Sequence, residues 1–294
     1  MWFLSIGNLN MDLNLFLREY PEAGENVLAE ELWIGAGGAA TNYSFMIASL
    51  GYRVSLIALV SPLAVRLGFL EELRRAGIDA SYVRVVEGEP NVAVVLTSRR
   101  DSSRTVISYR GSTRGLSGEM VPGGGDHLHF ASVRAEVVLR TAVGPRLSSY
   151  DPGAEALMDP KGVKEAVSNV NWSFLNEREL RALSSEPRDL LRGRNEMVII
   201  KRGPHGAALV TADGKLVEAS APRLGGPVDV TGTGDAFDAT FNVAYLKTRD
   251  PELSLRAAVV AGALKSLRRG SSNMPKREEL LEAYRALYGE ELEV

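Results

Sequence analysis

Residues 227–241, PVDVTGTGDAFDATF, set three aspartates, Asp229, Asp235 and Asp238, around a glycine-bracketed turn where a strand gives way to a helix. Glycine tolerates positive φ, so the main-chain N–H groups of Gly232, Thr233 and Gly234 can converge on one point. The helix that follows adds the positive end of its dipole. Together these make an anion hole. A carboxylate at its edge would repel a resting anion, which suits Asp235 to act on the anion's reaction partner. It could take a proton from a hydroxyl that attacks a phosphoryl group. Taken alone, the same pattern is also explained by a tight turn with Asp235 capping the helix.

Other residues bear on that choice. GAGGAATN, residues 35–42, superficially matches the G-x-G-x-x-A of a dinucleotide site, which would make the protein a dinucleotide-dependent oxidoreductase. Against this, the preceding strand is half-exposed, and the next one, RVSLIALV, ends in Ser61-Pro62 with no acid to grip a ribose. Close approach of Gly37 and Gly38 to a polyhydroxylated ligand, with Asn42 facing it, suits the segment better; a packed helix start is the alternative. Asn10 and Asp12 follow the first strand, at the end where α/β folds bind ligands. They can hydrogen-bond adjacent hydroxyls or shape a turn. Asn176 and Glu179, three apart at a helix start, can hold the waters of a hydrated Mg²⁺ or form a capping box. Lys201, Gly203 and Gly206, in KRGPHGAALV, make a thin wall against which a nucleotide can lie. No Walker A motif exists: Gly214-Lys215 lacks both the preceding spacing and a following Ser or Thr.

The elements that must position these residues alternate. WFLSIG, RVSLIALV, DHLHFAS, RLSSYD, NWSFLN and EMVIIKRG read as strands, separated by helical stretches. TNYSFMIASLG and AVRLGFLEELRRAG read as helices ending at Gly51 and Gly77, and residues 234–247, 251–267 and 276–288 as three more. Such alternation implies a mostly parallel sheet covered by helices on both faces. Residues 13–34 and 91–109 differ, alternating apolar and polar positions around turn residues, and are expected to join as a small sheet beside the main body. The expectation is one domain over residues 1–294, since a large α/β sheet can fill that length.

Composition narrows the classes further. A net charge of −3 offers nothing to nucleic acid or an anionic membrane. The absence of cysteine excludes disulfides, thiolate metal sites and cysteine nucleophiles. No stretch approaches the ~18 apolar residues of a membrane helix, and the start, MWFLSIGNLNMD, lacks the features of a secretory leader. A cytoplasmic protein with a small-molecule substrate is the expectation.

In order, Asn10-x-Asp12, GAGGAATN, Asn176-x-x-Glu179, VDVTGTGDAFDATF and the closing RRGSSNMPKREEL resemble the PfkB, or ribokinase-like, family of carbohydrate kinases over nearly the whole chain. The resemblance implies a three-layer ribokinase-like α/β fold with a small β-sheet lid, and ATP-dependent phosphorylation of a sugar-like alcohol; a nucleoside is the rival acceptor. It implies Asp235 as the base and Gly232, Thr233 and Gly234 as the anion hole. Asn10, Asp12, Gly38 and Asn42 would hold the substrate, joined by Gly37. Asn176 and Glu179 would act near Mg²⁺ and phosphate, and Lys201, Gly203 and Gly206 would line the nucleotide site. Asp229 and Thr231 fall where some members bind a monovalent cation, which adds K⁺ to the implied cofactors. Separately, an apolar lid face bearing Phe16 and Val94 would either pair two copies as a homodimer or cover the protein's own substrate. This sequence departs from the family pattern at Thr233, usually Ala, and at Ser61–Ala64, where a G-x-D-x-x-G loop is usual. It departs again at Val259 and at Lys201, where many relatives have a polar residue and Thr.

Overall fold

The computed structural model describes residues 1–294 except 101, 102, 143 and 145; the first two belong to the expected 91–109 excursion and lie outside the described residues. The chain begins with β1 (Trp2–Gly7), β2 (Asn10–Leu17), β3 (Glu31–Gly37), α1 (Ala39–Ser49) and β4 (Arg53–Val60). Next come α2 (Pro62–Arg66), α3 (Phe69–Arg75), β5 (Ile78–Asp79), β6 (Val83–Val85), β7 (Val92–Ser98) and β8 (Arg104–Tyr109). The middle holds β9 (His127–Ala131), α4 (Ala135–Thr141), β10 (Leu147–Asp151), α5 (Glu155–Met158), α6 (Pro160–Val167), β11 (Trp172–Asn176) and α7 (Glu177–Leu183). β12 (Met197–Lys201), β13 (Ala207–Thr211), β14 (Leu216–Ala219), α8 (Thr233–Thr248), α9 (Pro251–Ser266) and α10 (Arg277–Tyr288) complete it.

Ten strands form the main sheet in the order β14-β13-β12-β11-β10-β9-β1-β4-β5, with β6 also paired to β4. Every pairing is parallel except β12–β13 and β13–β14. β1 shows why its sequence is apolar throughout. Phe3 enters the core shared with α1, α8, α9 and α10, whereas Leu4 and Ile6 enter the core shared with α4 and α6. A strand covered on both faces must be apolar at both parities. His127 and His129 on β9 also face this interior, where burial drives both toward the neutral form, His129 to about 3.

One helix expectation is corrected. Residues 64–77 do not form a single helix: α2 and α3 are separated at Gly68, which adopts φ 78° and breaks the hydrogen-bond ladder.

The small sheet runs β3-β2-β7-β8, with β2–β7 parallel and the outer pairs antiparallel. Cross-strand rows Asp12–Ala93–Ser108 and Asn14–Val95–Val106 share one face. Most of these line a large cavity over the main body. Leu13, Leu15, Leu32, Ile34, Val94 and Ile107 share the opposite face, as the period of two requires. Leu32, Ile34 and Ile107 are exposed there.

Candidate active site

α8 is anchored before it can position anything. Asn242 on its buried side accepts from Trp172 Nε1 at 2.7 Å and donates to Tyr43 Oη at 3.0 Å and Ser149 Oγ at 3.1 Å. That one amide ties α8 to β11, α1 and β10, and so fixes the helix's N-terminus over the C-terminal ends of the strands. Gly232 caps this terminus at φ 79°, and a Cβ there would lie 2.8 Å from the Ser271 carbonyl oxygen. Only glycine serves both demands. The bond from Ala236 N to Gly232 O, at 2.9 Å, opens the helical ladder, so the Gly234 and Asp235 amides precede it and point out of the helix end.

Asp235 stands in this first turn. Its Oδ2 accepts from Asn42 Nδ2 at 2.8 Å. Burial pushes its carboxyl up to about 6 despite that bond and the nearby Lys201 charge. The same cavity, of about 920 Å³, is lined by Asn10, Asp12, Gly38, Asn42, Gly232 and Asp235. Asp12 is 3% exposed. Burial pushes it up to about 7, and the Asp235 charge adds to the effect. One oxygen each of Asp12, Asn42 and Asn8 is buried without a hydrogen-bond partner among the described residues, so polar capacity is left over around the cavity. Gly37 lies behind Asp12: a Cβ there would overlap the carboxylate, so the missing side chain makes room for Asp12.

Asn176 and Glu179 form a capping box. Glu179 accepts from Asn176 N at 2.8 Å and from its Nδ2 at 2.6 Å, while Asn176 Oδ1 accepts from Glu179 N at 2.9 Å. Burial, reinforced by Asp151, raises Glu179 to about 7. Lys201, at the end of β12, turns inward. Its Nζ donates to Asp151 Oδ2 at 2.6 Å and to both Asp238 oxygens at 3.1 Å. Asp151, the nearer partner, stays below its ordinary value although burial opposes this, and fully buried Asp238 is raised. The ammonium also lies beneath the anion hole, since a Cβ on Gly234 would sit 3.4 Å from Nζ. Gly203 and Gly206 bracket a short 3-10 turn between β12 and β13. None of these five residues lines the large cavity.

Asp229 braces the turn from the other side. Its two oxygens accept from Thr231 N at 2.8 Å and Gly270 N at 3.0 Å. Lys265, fully buried on α9, runs under the same turn, and its Cε is 3.4 Å from where a Gly232 Cβ would be. Its Nζ donates to the Arg268 carbonyl at 3.3 Å. Burial lowers its pKa to about 8, against an opposing pull from Asp229 and Asp235.

Several residues here escaped the reading of motifs. Asp151 stands alone at the end of a strand, and Lys265 lies three residues before RRGSSNMPKREEL without belonging to it. Arg104, Arg110, Arg114 and Arg134 also line the cavity. The alternation Arg104-Val106-Ser108-Arg110 was the available signal for the first two. The dinucleotide reading of residues 35–42 fails on topology: β3 belongs to the small sheet, paired antiparallel with β2 alone, and opens no parallel βαβ unit.

Residues 3–277 match the sequence profile described as "pfkB family carbohydrate kinase". The chain is 30% identical over 283 residues to the ATP-dependent ribose-1-phosphate kinase of Halopiger xanaduensis (strain DSM 18323 / JCM 14033 / SH-6), covering 92% of this chain and 94% of that one. It is 26% identical over 301 residues to the deoxyribokinase of Salmonella typhimurium, covering 94% and 96%. The nucleoside kinase of Burkholderia thailandensis, solved in complex with inosine, superposes with a TM-score of 0.87 at 20% identity over 100% of this chain and 99% of that one. At that identity the likeness carries the fold alone.

Proposed function

The chain belongs to the pfkB family of carbohydrate kinases, and on that premise we propose that Asp235 is the base of its phosphoryl transfer, serving an acceptor hydroxyl held in the cavity beneath the small sheet. The enzyme is a kinase of sugars or nucleosides, and ATP is the donor that family membership brings. The observation that carries the residue assignment is the placement of Asp235. Its carboxylate stands at the mouth of an anion-binding helix terminus and in the same cavity as Asp12 and Asn42.

Asn10, Asp12 and Asn42 orient the acceptor hydroxyls, with Gly38 giving close main-chain approach and Gly37 making room for Asp12. The reacting oxygen bonds to the γ-phosphorus of ATP as the bond from that phosphorus to the β,γ-bridging oxygen breaks. The hydroxyl proton passes to an Asp235 oxygen, and ADP leaves. The amides of Gly232 and Gly234, with the α8 dipole, stabilise charge on the transferring group; the expected Thr233 amide instead donates to the Val230 carbonyl at 3.4 Å and would have to release it to join them. Gly203 and Gly206 line the nucleotide, and Lys201 supports the anion hole from below.

Asn176 and Glu179 offer a hydrated Mg²⁺ outer contacts only, because both Glu179 oxygens and Asn176 Oδ1 are engaged in the capping box and, among the described residues, no cluster of three or more acidic or histidine side chains is placed to hold a metal directly. Three carboxyl groups, Asp151, Glu179 and Asp238, gather around one lysine, and burial, then the Asp151 charge, lifts Glu179 above its ordinary value against the pull of Lys201. Mg²⁺ bound there through water would neutralise phosphate charge. At the K⁺ position beside Asp229 and Thr231 the observations divide: the buried Thr231 Oγ1 has no partner among the described residues, whereas both Asp229 oxygens serve main-chain amides and Lys265 already brings a cation beneath the turn.

The small sheet closes over the acceptor as a lid, excluding water from the reacting phosphate. Its outer apolar face, with Leu32, Ile34, Val94 and Ile107, is the surface by which two copies would pair. Phe16 takes no part, being 7% exposed on the other face. Tyr109 borders the cavity but shares the outward face of β8 with Ile107 and is 47% exposed, with Arg114 5.3 Å from its ring centroid, so it does not by itself favour a nucleoside acceptor.

A screen of pentoses, hexoses, sugar acids, inositol, nucleosides and sugar phosphates with ATP and Mg²⁺ tests the proposal. Phosphorylated product that disappears in Asp235→Asn supports it. Product formed equally well by that variant overturns the assignment.

A further inference from the structure

The small sheet touches the main body at a second place, behind the anion-hole turn. Pairing with β2 sets Glu31, Trp33 and Gly35 on the body-facing side of β3, opposite Phe16, Asn14 and Asp12. Against them runs a strap of three residues that follows α9, Arg269, Gly270 and Ser271, and each meets the strand. Arg269 pairs with Glu31 at 3.0 Å, Gly270 lies against the Trp33 ring, and Ser271 Oγ donates to the Ala36 carbonyl at 3.3 Å.

The other side of the strap holds the turn. Gly270 N donates to Asp229 Oδ2 at 3.0 Å, and Asp229 Oδ1 accepts from Thr231 N at 2.8 Å. The Ser271 carbonyl oxygen is the atom that a Gly232 Cβ would meet, at 2.8 Å. Just upstream, the Ser266 carbonyl accepts from Val228 N at 2.7 Å and Asp229 N at 3.1 Å. Residues 266–271 therefore set the position of Gly232, the cap of α8.

The three contacts with β3 are unequal. Arg269 and Glu31 are 58% and 42% exposed, so water screens their pair, and Glu31 is shared with Arg99. The Ser271 bond is long. Trp33 makes the broad contact. Its ring lies over Gly35, where any Cβ would overlap it, and its Cζ2 and Cη2 come within 3.2 and 3.5 Å of where a Gly270 Cβ would be. Two bare glycines thus let a stiff indole wedge between the small sheet and the main chain of the strap. Gly270 holds φ 80°, so the residue under the ring could not carry a side chain without strain. Trp33 lies outside the wall of the acceptor cavity, so contact with the acceptor does not account for it.

We infer that Trp33 is a positioning residue for phosphoryl transfer: packed on Gly270, it passes the seating of the small sheet over the acceptor to the anion-hole turn. The route is short, from Trp33 to Gly270, Asp229, Thr231 and Gly232. The Gly232 and Gly234 amides then reach the transferring phosphate only when the sheet is down, which ties transfer to a filled acceptor site. The inference rests on the kinase reading above and adds a control to its site.

Steady-state kinetics with ATP, Mg²⁺ and the best acceptor from the screen test this in Trp33→Ala and Trp33→Phe, each checked by melting temperature. In Trp33→Ala, kcat should fall ~10²-fold, the cost of a displacement of about 1 Å at the reacting groups, with both KM values little changed. Trp33→Phe keeps a ring on Gly270 and should recover most of the loss. Amide hydrogen exchange at residues 229–234 should quicken in Trp33→Ala while β7 keeps its protection. Unchanged kinetics, a rise in acceptor KM in place of the fall in kcat, or a loss that Phe does not recover overturns the inference and leaves the kinase reading standing. If the wild type phosphorylates nothing, the kinase reading fails and exchange alone decides. Quicker exchange at 229–234 with β7 protected then upholds the link between Trp33 and the turn, and equal exchange overturns it. Should Trp33→Ala not fold, Trp33→Leu takes its place.

Discussion

Asn42 Nδ2 donates to Asp235 Oδ2 at 2.8 Å, joining the first turns of α1 and α8 across 193 residues of chain. The bond holds the proposed base beside the hydroxyl-binding cluster of the same cavity. It also opposes the burial that raises the Asp235 pKa to about 6.

Removing that amide should therefore make Asp235 harder to ionise. In Asn42→Ala the acid limb of the kcat/KM profile should move to higher pH than in the wild type, where it is expected near 6. Activity at low pH should fall more than activity at high pH, because the base works only when deprotonated. An unchanged limb would show that Asn42 affects binding alone.

Asp12 carries a stability signature of its own. Its folded pKa, about 7, lies above its ordinary value of 3.8, so the folded state binds a proton more tightly than the unfolded one. The associated stability is present below the unfolded value and is lost as pH rises through about 7. Asp12→Asn should remove this loss. Its melting temperature without ligand should match the wild type near pH 4 and exceed it at pH 8, by an amount on the order of a few kcal/mol in stability. Equal melting at pH 8 would mean that the carboxyl is better solvated than its burial indicates.

How much of this could be read in advance follows from the kind of signal each residue carries. α8 and its glycine turn were legible because anion binding by a helix terminus needs local sequence, and Gly232, Thr233, Gly234 and Asp235 are contiguous. The small sheet was legible from its period-two alternation, which follows from having one face toward the cavity and one toward solvent. The break at Gly68 was not, since a glycine within a helical pattern does not announce whether it will adopt positive φ. Lys201 was the harder case. Its position at the end of β12 suggested a wall for nucleotide, but Asp151 and Asp238 meet it only through tertiary packing. Arg114 and Arg134, which line the cavity, were missed for the same reason: they come from separate loops and share no motif.

Lys265 yields a cation prediction. With its ammonium beneath the Asp229–Gly232 turn, turnover should be equal in K⁺ and Na⁺ at matched ionic strength. Burial lowers its pKa to about 8, so charge beneath the turn, and activity with it, should decline as pH rises beyond that value. Lys265→Met should lose turnover and flatten the alkaline limb. A wild-type enzyme activated several-fold by K⁺ over Na⁺ would refute the assignment.

The central claim is that Asp235 takes the acceptor's proton. Single-turnover phosphorylation by Asp235→Asn, on the best acceptor from the substrate screen, tests it most directly. The substitution keeps the shape of the side chain and can keep a polar contact with Asn42, so the fold and the binding of ATP and acceptor should persist. The rate of phosphoryl transfer should fall ~10²–10⁴-fold, the span that general-base help supplies. Transfer at a rate near that of the wild type would contradict the account.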